Sequence, residues 1–494
     1  MIRIAVLTFV SLLLLLVSCE SNNYKIGIKG EDLYPQQEIP NLSNDNSVSD
    51  AGSEKESELT LVECELHQAM LQDFDILIQL MDETFQYFNV VERKLRLDVD
   101  ELIRDTRVKI ETYPHSMYDF ASDLGIAPED IPPMDEQILW GIIEHDFFVH
   151  FRDINAPMSL SMAHLGVVFY ESFFGSRIPV LRTSESNRTY VKQRELFETL
   201  PSENPALFRF IFRSDPEFHD NTLENDDLYP HIDVIKTDIL EEGRIAYLKV
   251  ADFQTDMQPY VNQLNEFYEY IIDFDHLIID ITECYGGRVE TGISYIMNPL
   301  WHDRDNIPDM LWFVFFNEAT LDRHSWRTIT TRLGLAPNWI PMTELMTVEE
   351  ILEIYPLQLR NTRDFSRLSH GFVLSTSLHN IKPSPRAPHN FPFSGSVWLL
   401  TSEKNYSASA IFAHHAKYMG FATLVGQPVG GGITAAQNII FKLPNSGLNV
   451  SWEVDYLTDQ QGLSLTEFPT VPHYINRDGL NALDTVLILI DEQR

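Results

Sequence analysis

The chain is poor in basic residues and in cysteine, and each shortage argues against a class of protein. Its 36 lysines and arginines are outnumbered by 73 aspartates and glutamates, so the formal net charge at pH 7 is −37. This balance argues against nucleic-acid binding, which needs basic side chains against phosphates, and against electrostatic binding to anionic lipid. Three cysteines are too few for a disulfide framework.

Sequence motifs for metal and nucleotide binding are also missing. The chain has no zinc-ligand spacing, no P-loop and no complete dinucleotide fingerprint. His414 and His415 are adjacent on a predicted helix, so their side chains point in different directions and cannot form a helical metal pair. We therefore expect neither a metal nor an organic cofactor.

The long uncharged apolar run of the chain lies at its N-terminus. Arg3 precedes this run, which covers residues 4–17 and is too short to cross a membrane as a helix. Leu-Val-Ser-Cys at 16–19 is similar to the lipobox of bacterial lipoproteins. The resemblance implies that residues 1–18 are a signal peptide and that acylated Cys19 attaches the protein to the bacterial cell envelope, at the outer membrane, the cell surface or in the periplasm. A cleaved signal sequence with a chance cysteine is the alternative.

Composition and periodicity divide the rest of the chain into four regions. Residues 19–57 are polar and acidic, which predicts a disordered linker. Apolar positions at helical spacing predict a helical bundle over 58–165, and a mixed connecting region follows over 166–243. An α/β core is predicted over 244–494, with an insertion at about 318–391 that forms a lid, a substrate wall or a passive excursion.

The first informative segment of this core predicts a β-α-β unit. A buried strand is expected from Arg244 to Phe253, then a helix with apolar residues at helical spacing, then a strand from His276 that ends at Gly286 and Gly287. Parallel α/β sheets place their sites at the carboxyl ends of strands. The two glycines therefore either offer backbone N–H groups to an oxyanion or simply make a tight turn.

The second segment places a serine at the start of a helix. An apolar strand at 397–400 leads through a polar turn to Ser407, and a helix is predicted from about Ala408 to Met419. Unpaired N–H groups and the helix dipole favour negative charge at this point, which suits a nucleophile whose attack creates an oxyanion. A serine that only caps the helix is the alternative.

Three motifs, in this order, resemble the C-terminal processing peptidase family of serine proteases, which includes the tail-specific proteases and the tricorn core. They are DITECYGG at 280–287, SASA at 407–410 and GQPVGGG at 426–432. The resemblance covers roughly residue 244 to the C-terminus. It implies an α/β fold in which a crotonase/Clp-like β-β-α catalytic core follows an N-terminal helical bundle, and it implies a serine peptidase without a cofactor.

Carried over by motif position, the resemblance assigns Ser407 as the nucleophile. It assigns the backbone N–H groups of Gly286 or Gly287 and of Ala408 to an oxyanion hole. Cys284 lies in the glycine turn and is an alternative, thiol nucleophile.

Four positions depart from the family pattern, namely Thr282, Tyr285, Ala410 and Gly432. Gly432 stands where many members carry a catalytic lysine, so a Ser-Lys dyad is not expected. Together the departures favour a rival hypothesis, in which the chain is a catalytically inactive, peptidase-like lipoprotein that binds peptides or other envelope ligands.

The tricorn-like branch of the family uses a histidine base, and its resemblance implies that His164 takes the Ser407 proton. A neutral imidazole can do so near neutral pH. Glu467, in the segment LTEFPTVPHY, resembles the family glutamate that completes the charge network. The alternatives are a structural role for His164 and a solvated surface carboxylate for Glu467.

The sequence thus predicts a membrane-anchored serine peptidase of the cell envelope. Its expected partners are peptide or unfolded protein substrates and, through the N-terminal lipid, a membrane. The oligomeric state stays open, as does pairing of Cys64 with Cys284.

Overall fold

The structure is a computed structural model, which describes residues 54–151, 166–167, 192, 196, 199–200, 202–212, 234–253, 257–303, 306, 308–323, 340–341, 343–376, 387–431 and 439–493. The described helices are α1 Glu54–Thr84, α2 Phe88–Leu95, α3 Val99–Glu111, α4 Tyr118–Asp123, α5 Glu136–Ile142, α6 Pro205–Phe212, α7 Val261–Tyr270, α8 Val289–Gly292, α9 Asn298–Leu300, α10 Glu318–Arg323, α11 Val348–Ile354, α12 Thr362–Phe365, α13 Ala408–Tyr418 and α14 Ala482–Glu492.

The described strands form three sheets. They are β1 Gly166–Val167, β2 Ile235–Glu241, β3 Ile245–Val250, β4 His276–Asp280, β5 Met310–Phe316, β6 Ile340–Pro341, β7 Met346–Thr347, β8 His370–Thr376, β9 Ser396–Thr401, β10 Thr423–Gly426, β11 Ile439–Lys442, β12 Asn449–Trp452, β13 Tyr456–Thr458 and β14 Tyr474–Ile475.

The six-stranded sheet carries the candidate site and has the order β14-β10-β9-β4-β3-β2. Its strands run parallel except β2, which pairs antiparallel with β3. Leu248, Ile279, Leu399 and Leu424 are in register across four neighbouring strands and are all buried. Because side chains alternate between the faces of a sheet, this row packs against the helices on one face. The residues adjacent to these along the strands, such as Ile278 and Leu400, point to the opposite face, where α14 packs.

A second, antiparallel sheet lies on the other side of those helices. It has the order β13-β5-β8-β6, and β7 also pairs with β8. Trp312 and Val314 of β5 share the core with α7 and α13, whereas Phe313 and Phe315 belong to the core of the N-terminal helices. The result is a layered arrangement in which α13 is enclosed between the two sheets.

The N-terminal helices begin where local capping chemistry favours them. Asp98 accepts a hydrogen bond from the Glu101 backbone N–H at the start of α3, and Asp135 does the same for two N–H groups of α5. Phe74, Phe147 and Phe151 are fully buried among these helices. Within the described residues, no helix combines the length and apolar character needed to cross a membrane.

The predicted fold class is confirmed, because the structure is a mixed α/β fold with an N-terminal helical region. The segment 318–391 does more than connect strands. It supplies β8, which pairs with β5 along seven residues, so it builds the centre of the second sheet. The six-stranded sheet begins at Ile235, before the position at which the sequence placed the core.

Candidate active site

The candidate nucleophile sits on a strained turn between a strand and a helix. Ser407 follows β9 and directly precedes α13, with φ of 53° and ψ of −119°. A residue other than glycine with positive φ costs roughly 1–3 kcal/mol and persists only where the surroundings impose it. A sharp, strained strand-to-helix turn is also how other folds expose a nucleophilic serine.

The Ser407 side chain does not cap the helix. The residue occupies the N-cap position, but its hydroxyl accepts no hydrogen bond from the first turn of α13. Its backbone is held on both sides, since its N–H donates to Gly431 O at 3.1 Å and its carbonyl accepts from Ile411 N at 3.0 Å. A fixed backbone, with a hydroxyl that bonds to no group in the described part of the chain, favours the nucleophile over the capping alternative.

Ser409, two residues later, has the opposite character. It is fully buried, and its hydroxyl lies 2.8 Å from Cys284 O and accepts the Tyr406 N–H at 2.9 Å. Because its oxygen is committed and closed to solvent, Ser409 is structural, and Ser407 is the serine of this pair that is available to a substrate.

The glycine turn lies directly against Ser407. Gly286 and Gly287 have φ of 115° and 131°, which only glycine adopts readily. A Cβ on Gly286 would lie 2.4 Å from Tyr406 O and 3.2 Å from the Ser407 Cβ. The close approach of the two turns therefore requires glycine at position 286.

Two backbone N–H groups next to this contact, those of Gly287 and Ala408, donate to no backbone carbonyl of the described residues. The Gly286 backbone forms a hydrogen bond with the Cys284 thiol, which lowers the thiol pKa. The Gly286 carbonyl, by contrast, accepts from Phe253 N at 3.0 Å, which fixes the turn to the end of β3. Free N–H groups on a fixed turn beside a serine hydroxyl are the arrangement that stabilises an oxyanion.

Cys284 is poorly suited to be the nucleophile. Its side chain is fully buried, and burial raises the pKa of the thiol to about 12. The reactive species of cysteine is the thiolate, which is scarce at neutral pH with such a pKa. Cys284 and the exposed Cys64 are both free, so they do not pair.

Glu467 is held by an arginine from the N-terminal helices. Arg93 of α2 donates to both carboxylate oxygens, at 3.0 and 2.6 Å, and also forms a two-pronged pair with Asp364 of α12. The hydrogen bonds that Arg93 donates to Asp364 and then to Glu467 raise its pKa. Glu467 is therefore not a solvated surface carboxylate, and no hydrogen bond joins it to Ser407 in the described part of the chain.

Three residues of the sequence prediction, namely Cys19, His164 and Gly432, lie outside the described residues. The described strand that follows His164 is β1, whose Gly166 pairs with Ser451 of β12. Lys404 and Lys417 lie near Ser407 in the sequence, and Lys417 donates to Val471 O at 2.7 Å.

The histidines of α13 point into the core. The fully buried His415 accepts a hydrogen bond on Nε2 from Trp312 Nε1 at 3.1 Å, and burial lowers its pKa to about 3. His414 Nδ1 lies 2.8 Å from Thr470 Oγ1. Across the described ranges, no group of three or more His, Cys, Asp or Glu side chains is arranged to hold a metal ion.

Sequence reasoning missed two sets of residues around the site. Asn405 joins the nucleophile turn to the glycine turn, and Arg93 holds Glu467. The partners are 124 and 374 residues apart in the chain, and neither pair belongs to a local motif. The one available signal was the position of Asn405 within the serine turn.

Comparisons with known proteins give one family match. Residues 349–475 match the model of peptidase family S41. No curated protein matches the sequence at a significant level.

Several solved structures are similar in fold at low identity. Mature CPAF in complex with lactacystin is 13% identical, with a TM-score of 0.45 over 87% of this chain and 97% of that one. The photosystem II D1 C-terminal processing protease is 13% identical, with a TM-score of 0.30 over 52% of this chain and about half, 51%, of the protease. A lipoprotein from Streptococcus agalactiae is 12% identical, with a TM-score of 0.34 over 74% and 99% of the two chains.

Those structural likenesses are too distant to carry a functional argument, whereas the family match covers the serine turn of the site, though not the glycine turn. The resemblance predicted from three motifs is therefore confirmed: the region 349–475, which contains Ser407, matches peptidase family S41, and the match supports a peptidase.

Proposed function

We propose that the protein is a serine-type peptidase of the bacterial cell envelope that cleaves peptides or unfolded proteins. The observation that carries the proposal is the Ser407 turn. Its hydroxyl does not cap the helix or bond to another described residue, its backbone is strained, and Gly286 approaches so closely that no other residue fits. The S41 match over the same turn supports peptide bonds as the substrate class.

The geometry suggests how the chain performs the reaction. Ser407 Oγ attacks the scissile carbonyl carbon, its proton passes to a base, and the carbonyl oxygen becomes an oxyanion that the N–H groups of Gly287 and Ala408 stabilise. Collapse expels the amine, which takes the proton from the base. Water then attacks the acyl-enzyme in the same way and releases Ser407.

Hydrolysis of an unfolded protein tests the proposal. Fluorescently labelled, reduced casein should be cleaved by the wild type, and Ser407→Ala should lower the rate to the background level without lowering the Tm. Ser116→Ala is a matched control, because that hydroxyl bonds to Lys109 O in the N-terminal helices. Cleavage by Ser407→Ala at the wild-type rate would exclude Ser407 as the nucleophile.

A second candidate function is peptide binding without catalysis. One observation favours it, since the Glu467 carboxylate is occupied by Arg93 and not by a catalytic partner. In that case neither casein nor shorter peptides are cleaved, and wild type and Ser407→Ala bind the same peptides with equal affinity in calorimetry.

We further propose that His164 is the general base, because the sequence resembles the tricorn-like branch there. His164→Ala should then slow casein cleavage by roughly 10²- to 10⁴-fold, the usual contribution of a positioned base. The wild-type rate should rise with pH through a single step near the ordinary histidine pKa of about 6.5. Lys404→Ala is the control, and a loss of activity in that variant alone would reject the histidine.

The envelope location rests on Cys19. In a bacterial host, labelled palmitate should enter the wild-type protein, and Cys19→Ala should abolish incorporation and release protein from the membrane fraction. Equal labelling of the two proteins would refute lipidation at this cysteine.

A further inference from the structure

We propose that Ser402, Asn405 and Ser409 are positioning residues that hold the glycine turn against the nucleophile. We call these three side chains the polar clamp. The inference rests on the proposed peptidase function, because it assigns the clamp a role in the rate of attack by Ser407.

Asn405 is the centre of the clamp. Its side chain is fully buried, and its Nδ2 donates to Ile281 O at 2.5 Å and to Cys284 O at 3.1 Å. Its Oδ1 accepts the Ser402 backbone N–H at 2.8 Å. The amide therefore uses both donors on the glycine turn and its acceptor on the serine turn, so it bridges the two.

The two serines reinforce this bridge at either end. Ser402 Oγ donates to Thr282 O at 2.5 Å, and Ser409 Oγ lies 2.8 Å from the same Cys284 carbonyl that Asn405 contacts. The three side chains of the clamp thus bind three backbone carbonyl groups just before Gly286, namely those of Ile281, Thr282 and Cys284.

The far side of the glycine turn is anchored to the sheet. Asp280, at the end of β4, accepts a hydrogen bond from Tyr247 Oη at 2.5 Å and from both the backbone N–H and the hydroxyl of Thr282. Since the turn is fixed to the sheet by Asp280, the clamp sets where the serine turn lies relative to Gly286.

This arrangement has a catalytic consequence beyond stability. The Gly287 N–H of the glycine turn can stabilise an oxyanion only if it is held at hydrogen-bond distance from the oxygen that Ser407 attack creates. Misplacement of a reacting group by about 1 Å can lower a rate by about 10²-fold. Loosening the clamp should therefore lower the rate of attack, and a purely structural role would lower only the Tm.

The test uses the rate of Ser407 modification by a fluorophosphonate. In this reaction the serine oxygen bonds to phosphorus, fluoride leaves and the base accepts the serine proton. The limiting rate constant at saturating probe reports attack, and the half-saturating concentration reports probe binding. Asn405→Asp keeps the shape and the acceptor of the side chain but removes both donors.

We expect Asn405→Asp to lower the limiting rate constant by about 10²-fold and to change half-saturation by less than about threefold. Asn317→Asp is the matched control. Asn317 also donates to a backbone carbonyl, that of Glu83, and accepts from Thr320, but it joins α10 to the N-terminal helices. This variant should lower the Tm and leave the limiting rate constant unchanged.

Each outcome decides between the two proposals. A folded Asn405→Asp with the wild-type limiting rate constant overturns the clamp and leaves the peptidase intact. A wild type that the probe never modifies overturns the peptidase and, with it, the clamp. If Asn405→Asp does not fold, the partly exposed Ser402→Ala decides, with an expected decrease of about tenfold; no decrease rejects the clamp.

Discussion

At the scale of single residues, the site depends on a contact that one glycine makes possible. Gly286 contacts the Tyr406 carbonyl and Ser407 so closely that an added methyl group would overlap them. The same residue has a φ of 115°, so a side chain is excluded both by space and by backbone conformation. Gly286 thus lets the oxyanion donors lie beside the nucleophile.

We therefore expect Gly286→Ala to lower the rate of Ser407 labelling by at least about 10²-fold, because the two turns must separate. Fluorophosphonate labelling and thermal unfolding measure this directly. Gly125→Ala is the control, since Gly125 also has positive φ, at 76°, but has open space around it. It should lower the Tm modestly and leave labelling unchanged. Wild-type labelling of Gly286→Ala would contradict the assigned contact.

The family resemblance was sufficient to predict that Gly286 or Gly287 lies beside Ser407 and Ala408, and the structure places Gly286 in contact with both. It could not predict Asn405 as their bridge, since an asparagine in a polar turn is usually explained by local turn bonding. The distant partners of its Nδ2 are the backbone carbonyls of Ile281 and Cys284, which carry no sequence signal.

At the scale of secondary-structure elements, an ion pair network joins three distant parts of the chain. Arg93 of α2 binds Asp364 of α12 and Glu467 of the C-terminal region, and Tyr456 of β13 donates to the same Asp364 at 3.0 Å. The Asp364 side chain is 1% exposed. A buried carboxylate is costly without a paired cation, and Arg93 supplies that cation for Asp364. The network therefore joins the N-terminal helices to the region around Glu467.

Arg93→Ala should therefore destabilise the protein more than loss of an ordinary ion pair. We expect a cost near the lower end of the roughly 3–5 kcal/mol seen for broken buried pairs, because Arg93 is itself partly exposed. The matched control is Arg107→Ala, which removes exposed pairs with Asp75 and Glu111 and should cost about 0–1 kcal/mol. Urea unfolding of both variants checks this, and equal costs would contradict it.

Strand prediction from sequence worked best where strands are buried. The predicted strand at 397–400 is β9, Ser396–Thr401. In contrast, β2 was missed because it is an edge strand whose residues are mostly exposed and polar, so it lacks an apolar run. β8 was missed because the surrounding segment is rich in Pro, Arg and His, and this composition led to the prediction of an insertion without a core strand.

At the scale of the whole molecule, the layers enclose the helix that carries the nucleophile. α13 lies between the two sheets, and Trp312 of the second sheet donates to His415 of α13. Burial keeps the folded His415 neutral by lowering its pKa to about 3. The unfolded chain, with an ordinary pKa of about 6.5, binds a proton first as the pH falls.

This difference predicts acid sensitivity with a definite sign. Above about pH 6.5 His415 is neutral in both the folded and the unfolded chain, so it does not reduce the free energy of unfolding. As the pH falls from about 6.5 toward 3, only the unfolded chain binds the proton, and the free energy of unfolding decreases by about 1.4 kcal/mol per pH unit. His415→Gln keeps an acceptor for Trp312 and removes the titration. Between pH 7 and 5 the free energy of unfolding of this variant should fall by about 2 kcal/mol less than that of the wild type, and its Tm should fall correspondingly less. The exposed His150→Gln should follow the wild type, and parallel curves for all three proteins would contradict the prediction.

The central claim is that Ser407 is an activated serine on a preformed site, and mapping of a covalent adduct tests it most directly. Purified wild type is treated with a biotinylated fluorophosphonate across about pH 6 to 9, digested and sequenced by mass spectrometry. We predict an adduct on Ser407, none on the buried Ser409, and complete loss of labelling in a folded Ser407→Ala variant. A well-folded wild type without an adduct anywhere in this range, or with the adduct on another residue, would contradict the account.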